Sequence, residues 1–264
     1  MKIWTVDAFA KKPFTGNPAA VMIVDEFFQD ALSQKIANEM NLSETAFVKP
    51  LGVDHFHLRW FTPTTEVKLC GHATLATAHI LYQENKVKGH AITFDSLSGP
   101  LKVYKNNHEL TLDFPLQATQ ILQDKTLFEQ TLGLDIVQAA TALDDLIIEI
   151  ASPQELRNLK VSPEKINTFD CRGVIITAKG DEGYDFISRF FAPRVGVSED
   201  PVTGSAHCKL AHYWQQKLGQ SQFNAYQASS RGGELKILIK DDRVHITGTA
   251  ITMLQGELQV DINE

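Results

Sequence analysis

The sequence predicts an α+β fold made of two similar halves, residues 1–116 and 117–264, each with strands wrapped around a central helix. Three observations predict it. One order of elements occurs twice along the chain, a glycine opens a helix at the corresponding place in each copy, and the strands are short, aromatic and β-branched, ending at proline or at Asn/Asp turns.

The repeat is read from residue pairs at a nearly constant offset. Arg59-Trp60-Phe61-Thr62-Pro63 returns 130 residues later as Arg189-Phe190-Phe191-Ala192-Pro193. Cys70-Gly71-His72-Ala73 returns 133 residues later as Thr203-Gly204-Ser205-Ala206, and Ala78-His79 returns as Ala211-His212 at the same offset. Ser96-Leu97-Ser98-Gly99 then meets Ser229-Ser230-Arg231-Gly232, and Leu101-Lys102-Val103 meets Leu235-Lys236-Ile237. Single dipeptide matches are cheap; their shared order makes a duplicated unit the better explanation. If the copies pack with pseudo-twofold symmetry, the two glycine-opened helix starts face a common cleft.

The elements follow in order. Lys2 to Phe9, Ala19 to Val24 and Thr45 to Lys49 read as strands, with Gln29 to Met40 as an amphipathic helix. Phe56 to Phe61 and Phe186 to Phe191 are strands that Pro63 and Pro193 stop, because proline cannot donate to a ladder. His72 to Gln83 and Ser205 to Leu218 lack Pro and Gly and contain good helix formers. The first has hardly a polar face, so it should be buried on most sides. Ala91 to Asp95 and Leu101 to Phe114 return to strands, the latter turning at Asn106-Asn107. Glu234 to Lys240 and Val244 to Ile246 do the same around Asp241-Asp242. The second half adds strands Asp145 to Ile150 and Val174 to Ala178 and a short helix from Pro153 to Leu159, and the halves meet within Pro115 to Asp124.

Composition narrows the function classes. An apolar fraction of 43% is that of a globular chain with real cores, and a formal charge of −7, from 32 acidic against 25 basic residues, argues against a nucleic-acid surface. No segment approaches the eighteen or so apolar residues of a membrane span, so no membrane partner is expected and the location expected is cytoplasmic. Cys70, Cys171 and Cys208 form no C-x-x-C pair and read as reduced thiols.

A glycine opening a helix lets a ligand approach the backbone, and the first N–H groups favour negative charge. Gly71-His72 and Gly204-Ser205 are two such places, and as a related pair they suggest a carboxylate-bearing ligand. Glu44 stands between a helical stretch and an apolar strand, where partial burial would suit it to acid/base work; spacing alone favours an ordinary exposed loop carboxylate. His72 with His79, and His207 with His212, lack the i, i+4 geometry and acidic ligand of a helix zinc site, so no metal is expected. No phosphate-binding loop is present either, so nucleotide dependence has no support.

Five stretches in matching order resemble the PhzF-like family of phenazine-biosynthesis isomerases. They are Val6-Asp7-Ala8-Phe9, Phe14-Thr15-Gly16-Asn17-Pro18-Ala19-Ala20, Asn41-Leu42-Ser43-Glu44-Thr45-Ala46-Phe47, the run from Phe61-Thr62-Pro63 to Leu69-Cys70-Gly71-His72-Ala73-Thr74, and Glu199-Asp200-Pro201-Val202-Thr203-Gly204-Ser205-Ala206-His207. The resemblance implies a diaminopimelate-epimerase-like fold of two halves, each a barrel-like sheet around a central helix, with no cofactor and commonly a homodimer. It implies an isomerase that moves a proton between carbons of a small carboxylate-bearing substrate. Glu44 matches the family's proton carrier. His72, Asp200 and Ser205 match residues that line the site, Gly204 with Ser205 would hold the substrate carboxylate, and Gly71 with Ala73 would contribute at the first helix start.

Departures from the wider superfamily sharpen this. Related racemases use two cysteines, one at each helix start, whereas this chain pairs Cys70 with Thr203, too weak an acid to be the partner. Glu44 has no mate either, since the 130-residue offset leads to Val174. A single base that returns what it takes fits best. A racemase or dehydratase on an amino-acid-like carboxylate, and a non-catalytic carboxylate-binding protein, are the alternatives.

Overall fold

The structure, a computed structural model, describes residues 1–259. Residues 260–264, at the end of the expected second half, lie outside the described residues. The chain divides into two compact units, Met1–Phe114 with the segment from Thr247 onward, and Pro115–Ile246. The expected division at 116/117, with everything beyond in one half, therefore shifts at both ends. The switch falls at Phe114/Pro115, and the last strand belongs to the first unit because its hydrogen-bonding partner is the first strand. That pairing spans the whole sequence and has no local signal.

The first unit runs β1 (Lys2–Ala8), β2 (Asn17–Ile23), α1 (Asp30–Met40), β3 (Glu44–Gly52), β4 (His55–Phe61), β5 (Glu66–Val67), α2 (Gly71–Gln83), β6 (Ala91–Asp95), β7 (Leu101–Asn106) and β8 (Glu109–Pro115). β1 and β2 are antiparallel, β2 and β3 parallel, β3 and β4 antiparallel; β4 pairs β5 antiparallel and β6 parallel, and β6 pairs β7 antiparallel. Ten of the thirteen residues of α2 are buried, as its lack of a polar face predicts. α1 is the amphipathic helix expected, burying Ile36 and Ala37 against Met22, Phe47 and Phe61, with the Phe47 and Phe61 rings edge-on at 5.6 Å.

The second unit opens with β9 (Gln120–Leu122) and α3 (Thr126–Leu132), then runs β10 (Ile136–Ala142), β11 (Asp145–Ile150), α4 (Pro153–Asn158), α5 (Pro163–Asn167), β12 (Gly173–Lys179), β13 (Phe186–Ala192), β14 (Val197–Asp200), α6 (Gly204–Leu218), β15 (Gln222–Gln227), β16 (Gly233–Lys240) and β17 (Arg243–Gly248). Its pairings repeat those of the first unit one for one: β10/β11 antiparallel, β11/β12 parallel, β12/β13 antiparallel, β13/β14 antiparallel, β13/β15 parallel and β15/β16 antiparallel. Each unit also adds a strand outside its first one. In the second unit it is β9 beside β10; in the first it is β18 (Ala250–Glu257) beside β1. α6 is tied into its unit by aromatic and polar contacts. Trp214 stacks on Phe186 with ring centroids 5.7 Å apart and donates from Nε1 to Thr177 Oγ1 at 3.1 Å, and Tyr213 donates to the Glu149 carboxylate at 2.6 Å.

The repeat extends to side-chain contacts. Arg59 on β4 grips Glu66 through Nε and Nη2 at 2.7 and 2.8 Å while its guanidinium lies 5.0 Å from the Phe61 ring. Arg189 on β13 grips Glu199 at 2.7 and 2.9 Å and lies 5.0 Å from the Phe191 ring. A bidentate arginine is thus built at the same place in both units.

Candidate active site

In the first unit, five side chains meet at the start of α2, three from β2, β3 and α2 and two from the residues just before β3 and α2. Glu44 is the first residue of β3, and its side chain is only 15% exposed, so the exposed-loop alternative does not describe it. His72 sits in the first turn of α2 with its ring 4% exposed. Its Nε2 lies 3.1 Å from Glu44 Oε2, an ion-pair distance, but off the line a hydrogen bond needs; both atoms are buried and otherwise without hydrogen-bond partners. On the other side of the ring, Asn17 donates from its amide nitrogen to His72 Nδ1 at 3.1 Å, and Ser43 donates to Asn17 Oδ1 at 3.3 Å. Cys70 is the residue before the helix; its side chain makes no capping bond, and its sulfur lies 3.5 Å from Nδ1. Thr74 Oγ1 donates to the Cys70 carbonyl at 2.5 Å, and Gly71 and Ala73 fill the buried first turn.

The charges here are coupled. Burial opposes a charged ring at His72, but the Cys70 sulfur and the Glu44 carboxylate outweigh that cost and hold its pKa well above the ordinary histidine value. Burial, reinforced by Glu44, pushes the Cys70 thiol up to about 11, which leaves it protonated at neutral pH and a poor base. Glu44, Cys70 and His72 each bring a ligand atom within 4.8 Å of the others. Carboxylate, thiol and imidazole are the donors a zinc-like ion takes, a grouping the histidine spacing of the sequence did not disclose. Such an ion would have to displace the thiol proton.

In the second unit, Asp200 ends β14, Thr203 precedes α6, and Gly204 and Ser205 open it. Thr203 Oγ1 donates to Asp200 Oδ2 at 2.5 Å, and its N–H donates to Gln227 Oε1 at 2.8 Å. Gln227, wholly buried on β15, returns its amide to the Asp200 carbonyl at 2.7 Å. The Ser205 hydroxyl lies 3.4 Å from Arg172 Nη2, and Arg172 in turn donates to buried Asp145 at 2.5 Å. Asp145 also holds buried Lys209, one turn along α6 from Ser205. His207 donates from Nδ1 to the Thr203 carbonyl at 2.8 Å; burial drives it down to about 4, so it is neutral.

Within the first unit, then, Glu44, His72, Gly71 and Ala73 come together, and within the second Asp200, Gly204 and Ser205 do. Reasoning from sequence missed Asn17, Ser43, Gln227 and Arg172 as parts of these clusters. Asn17 and Ser43 did carry a signal, since both lie inside matched motifs; Gln227 and Arg172 lie outside them.

A strand-rich α+β chain with one topology built twice has an epimerase-like fold, and here a buried carboxylate–imidazole pair stands at one of its helix starts. Its sequence matches the family described as phenazine biosynthesis-like protein (PhzC-PhzF) over residues 6–256, and the chain belongs to that family. It is 48% identical over 261 residues, 97% of each chain, to an uncharacterised isomerase of Halalkalibacterium halodurans. It is also similar to a PhzF-family phenazine biosynthesis protein of Enterococcus faecalis of known structure, with a TM-score of 0.94 and 41% identity over 98% of this chain and 99% of that one. A probable proline racemase from Agrobacterium radiobacter shares the fold at a TM-score of 0.67 and 9% identity, covering 98% and 93% of the two chains. Among the described residues no helix is long and apolar enough to cross a membrane.

Proposed function

We propose that this isomerase moves a proton between carbons of a small carboxylate-bearing substrate, with Glu44 as the group that takes and returns it and with no cofactor. The observation that carries the reading is the Glu44–His72 pair: a buried carboxylate oxygen, 3.1 Å from a buried ring nitrogen, with neither atom satisfied by a directional bond. Buried polar atoms are normally paired, so an unsatisfied pair beside a helix start is poised for a ligand. Gly71 and Ala73 present backbone to that ligand. Asp200 and Ser205, each held by neighbours in its own unit, are assigned the substrate's polar groups, with Gly204 and Ser205 taking a carboxylate at the start of α6.

Racemisation through thiols is the weaker alternative, because Cys70 is pushed up to about 11 and Thr203 occupies the matching place. The test is a solvent-deuterium screen of small cyclic and amino-acid-like carboxylates with wild type and Glu44→Gln. Isomerisation and label uptake by wild type, both lost in the variant while binding survives, is the expected result. Undiminished isomerisation by Glu44→Gln would move the base to His72 or Asp200. Sedimentation of the purified protein checks the homodimer that the family resemblance implies.

A further inference from the structure

The turn Phe14-Thr15-Gly16-Asn17-Pro18 holds none of the reacting groups, yet the chain goes to some length to place Asn17. The Phe14 N–H donates to the buried Asp7 carboxylate at 3.1 Å. Gly16 adopts a φ of +71°, and a Cβ there would lie 2.2 Å from the Ala8 carbonyl oxygen, so no other residue fits without moving β1. The turn thereby delivers a fully buried amide side chain to His72, 55 residues along the chain.

An amide NH2 can only donate, so Nδ1 of His72 accepts from Asn17, and a ring with one proton must carry it on Nε2. That nitrogen is the one 3.1 Å from Glu44. The Ser43 hydroxyl donates to Oδ1, the other end of the amide, at 3.3 Å. Glu44 and Cys70 favour a second ring proton, which on Nδ1 would face the amide NH2, so the assignment holds for the ring above its raised pKa, where it carries one proton.

We propose that Asn17 is a positioning residue that keeps the proton of His72 on Nε2, facing Glu44. Its consequence for the reaction rests on Glu44 being the proton carrier. A bare Nε2 beside Glu44 would be a second base within reach of the first and could capture the proton that Glu44 has just taken. With Nε2 already protonated, His72 cannot accept there, and the proton stays on Glu44 for return to the substrate.

The test reads the ring directly. In 15N-histidine protein, the His72 resonances, assigned by their loss in His72→Gln, should report an Nε2–H imidazole in the range where the ring is neutral. Asn17→Asp presents an acceptor to Nδ1 and should convert the ring to Nδ1–H or hold it doubly protonated. An Nδ1–H ring in wild type, or an unchanged tautomer in Asn17→Asp, would overturn the proposal. On a substrate that wild type turns over, Asn17→Asp should fall below Asn17→Ala by about tenfold or more, since a misplaced imidazole proton is costly to catalysis. The reverse order, the near-isosteric aspartate being the milder change, would mark a packing role and overturn it. If Asn17→Asp does not fold, Asn17→Leu serves: it removes the donor, and a ring still wholly Nε2–H would equally overturn the proposal. Because the tautomer is read without substrate, failure of Glu44 as proton carrier leaves this measurement independent.

Discussion

The starts of α2 and α6 occupy the same place in two units of one topology, and they have kept their scaffolding while parting in chemistry. Arg59–Glu66 and Arg189–Glu199 are near-copies, down to the 5.0 Å approach of each guanidinium to a phenylalanine ring. Thr74 and His207 stand at equivalent positions and perform one task, each donating to the carbonyl just before its helix. The side chains gathered at the two helix starts differ. Glu44, Cys70 and His72 cluster at α2, whereas Gly173, Thr203 and Ser205 stand at the matching places in the other unit; the strand registers align Thr45 with Val174, so the mate of Glu44 is Gly173 and not the Val174 expected from the offset. What duplication conserves here is the frame that holds the helix start; what it releases is the group at the helix start.

The widest break in that comparison should come from Glu44→Gln. Positioned acid–base catalysis is worth about a hundred- to ten-thousandfold in rate, and the variant should lose at least that range's lower end in turnover with binding retained. Steady-state kinetics beside ligand titration separate the two quantities.

The buried histidines sharpen it next, because they have opposite signs. His207 falls from the ordinary 6.5 to about 4, so the folded state binds its proton less readily than the unfolded state does. Its contribution to stability is complete above pH 6.5 and is lost as pH falls from there through about 4, reaching roughly 3 kcal/mol. Denaturant melts of wild type and His207→Gln at pH 7 and pH 4.5 should show a smaller acid-side loss in the variant. His72, held above its ordinary value, acts the other way: its favourable contribution is present below pH 6.5 and fades as pH rises through its folded pKa.

The shared arginines come third. Arg59→Met and Arg189→Met should each cost about 1–3 kcal/mol, the worth of a charge-assisted pair in a partly buried setting. Arg59 also donates to Asp30, at the start of α1, but that carboxylate is 78% exposed; Arg189 should cost more, because it also donates to the Leu156 and Leu159 carbonyls and so ties down α4. Urea midpoints for both variants decide this, and equal costs would show that those carbonyl bonds add no more than the Arg59–Asp30 pair. The smallest effect belongs to Cys70→Ala, with less than about tenfold loss of turnover, or 1.4 kcal/mol of barrier. A loss near a thousandfold would restore a thiol mechanism.

Much of this was legible in the sequence because its cause is local. The strands ending at Pro63 and Pro193, the apolar helix after Gly71 and the turn at Asn106-Asn107 rest on proline chemistry, apolar pattern and turn residues, all read within a few positions. Family motifs found Glu44 and His72. Ile136–Ala142 escaped because its alanine-rich sequence carries weak strand preference and acquires its state from β11 alongside. Gln222–Gln227 escaped because it is short, rich in Gln and Asn and without a β-branched residue, so its strand state comes from β13 and β16 on either side. Asn17 was visible as part of a motif, but not its bond to His72, because only the packing of β2 against α2 brings them together.

The return of β18 to β1 has a bearing on how the protein is made. The second unit is a contiguous stretch and has all its strands once Gly248 has left the ribosome, whereas the first unit, begun earlier, lacks a partner along one side of β1 until Ala250–Glu257 follows. Synthesis order and completion order are thus reversed for the unit that carries Glu44. A nascent chain paused before Ala250 displays β1 as an open edge, the sort of surface on which neighbouring chains can pair.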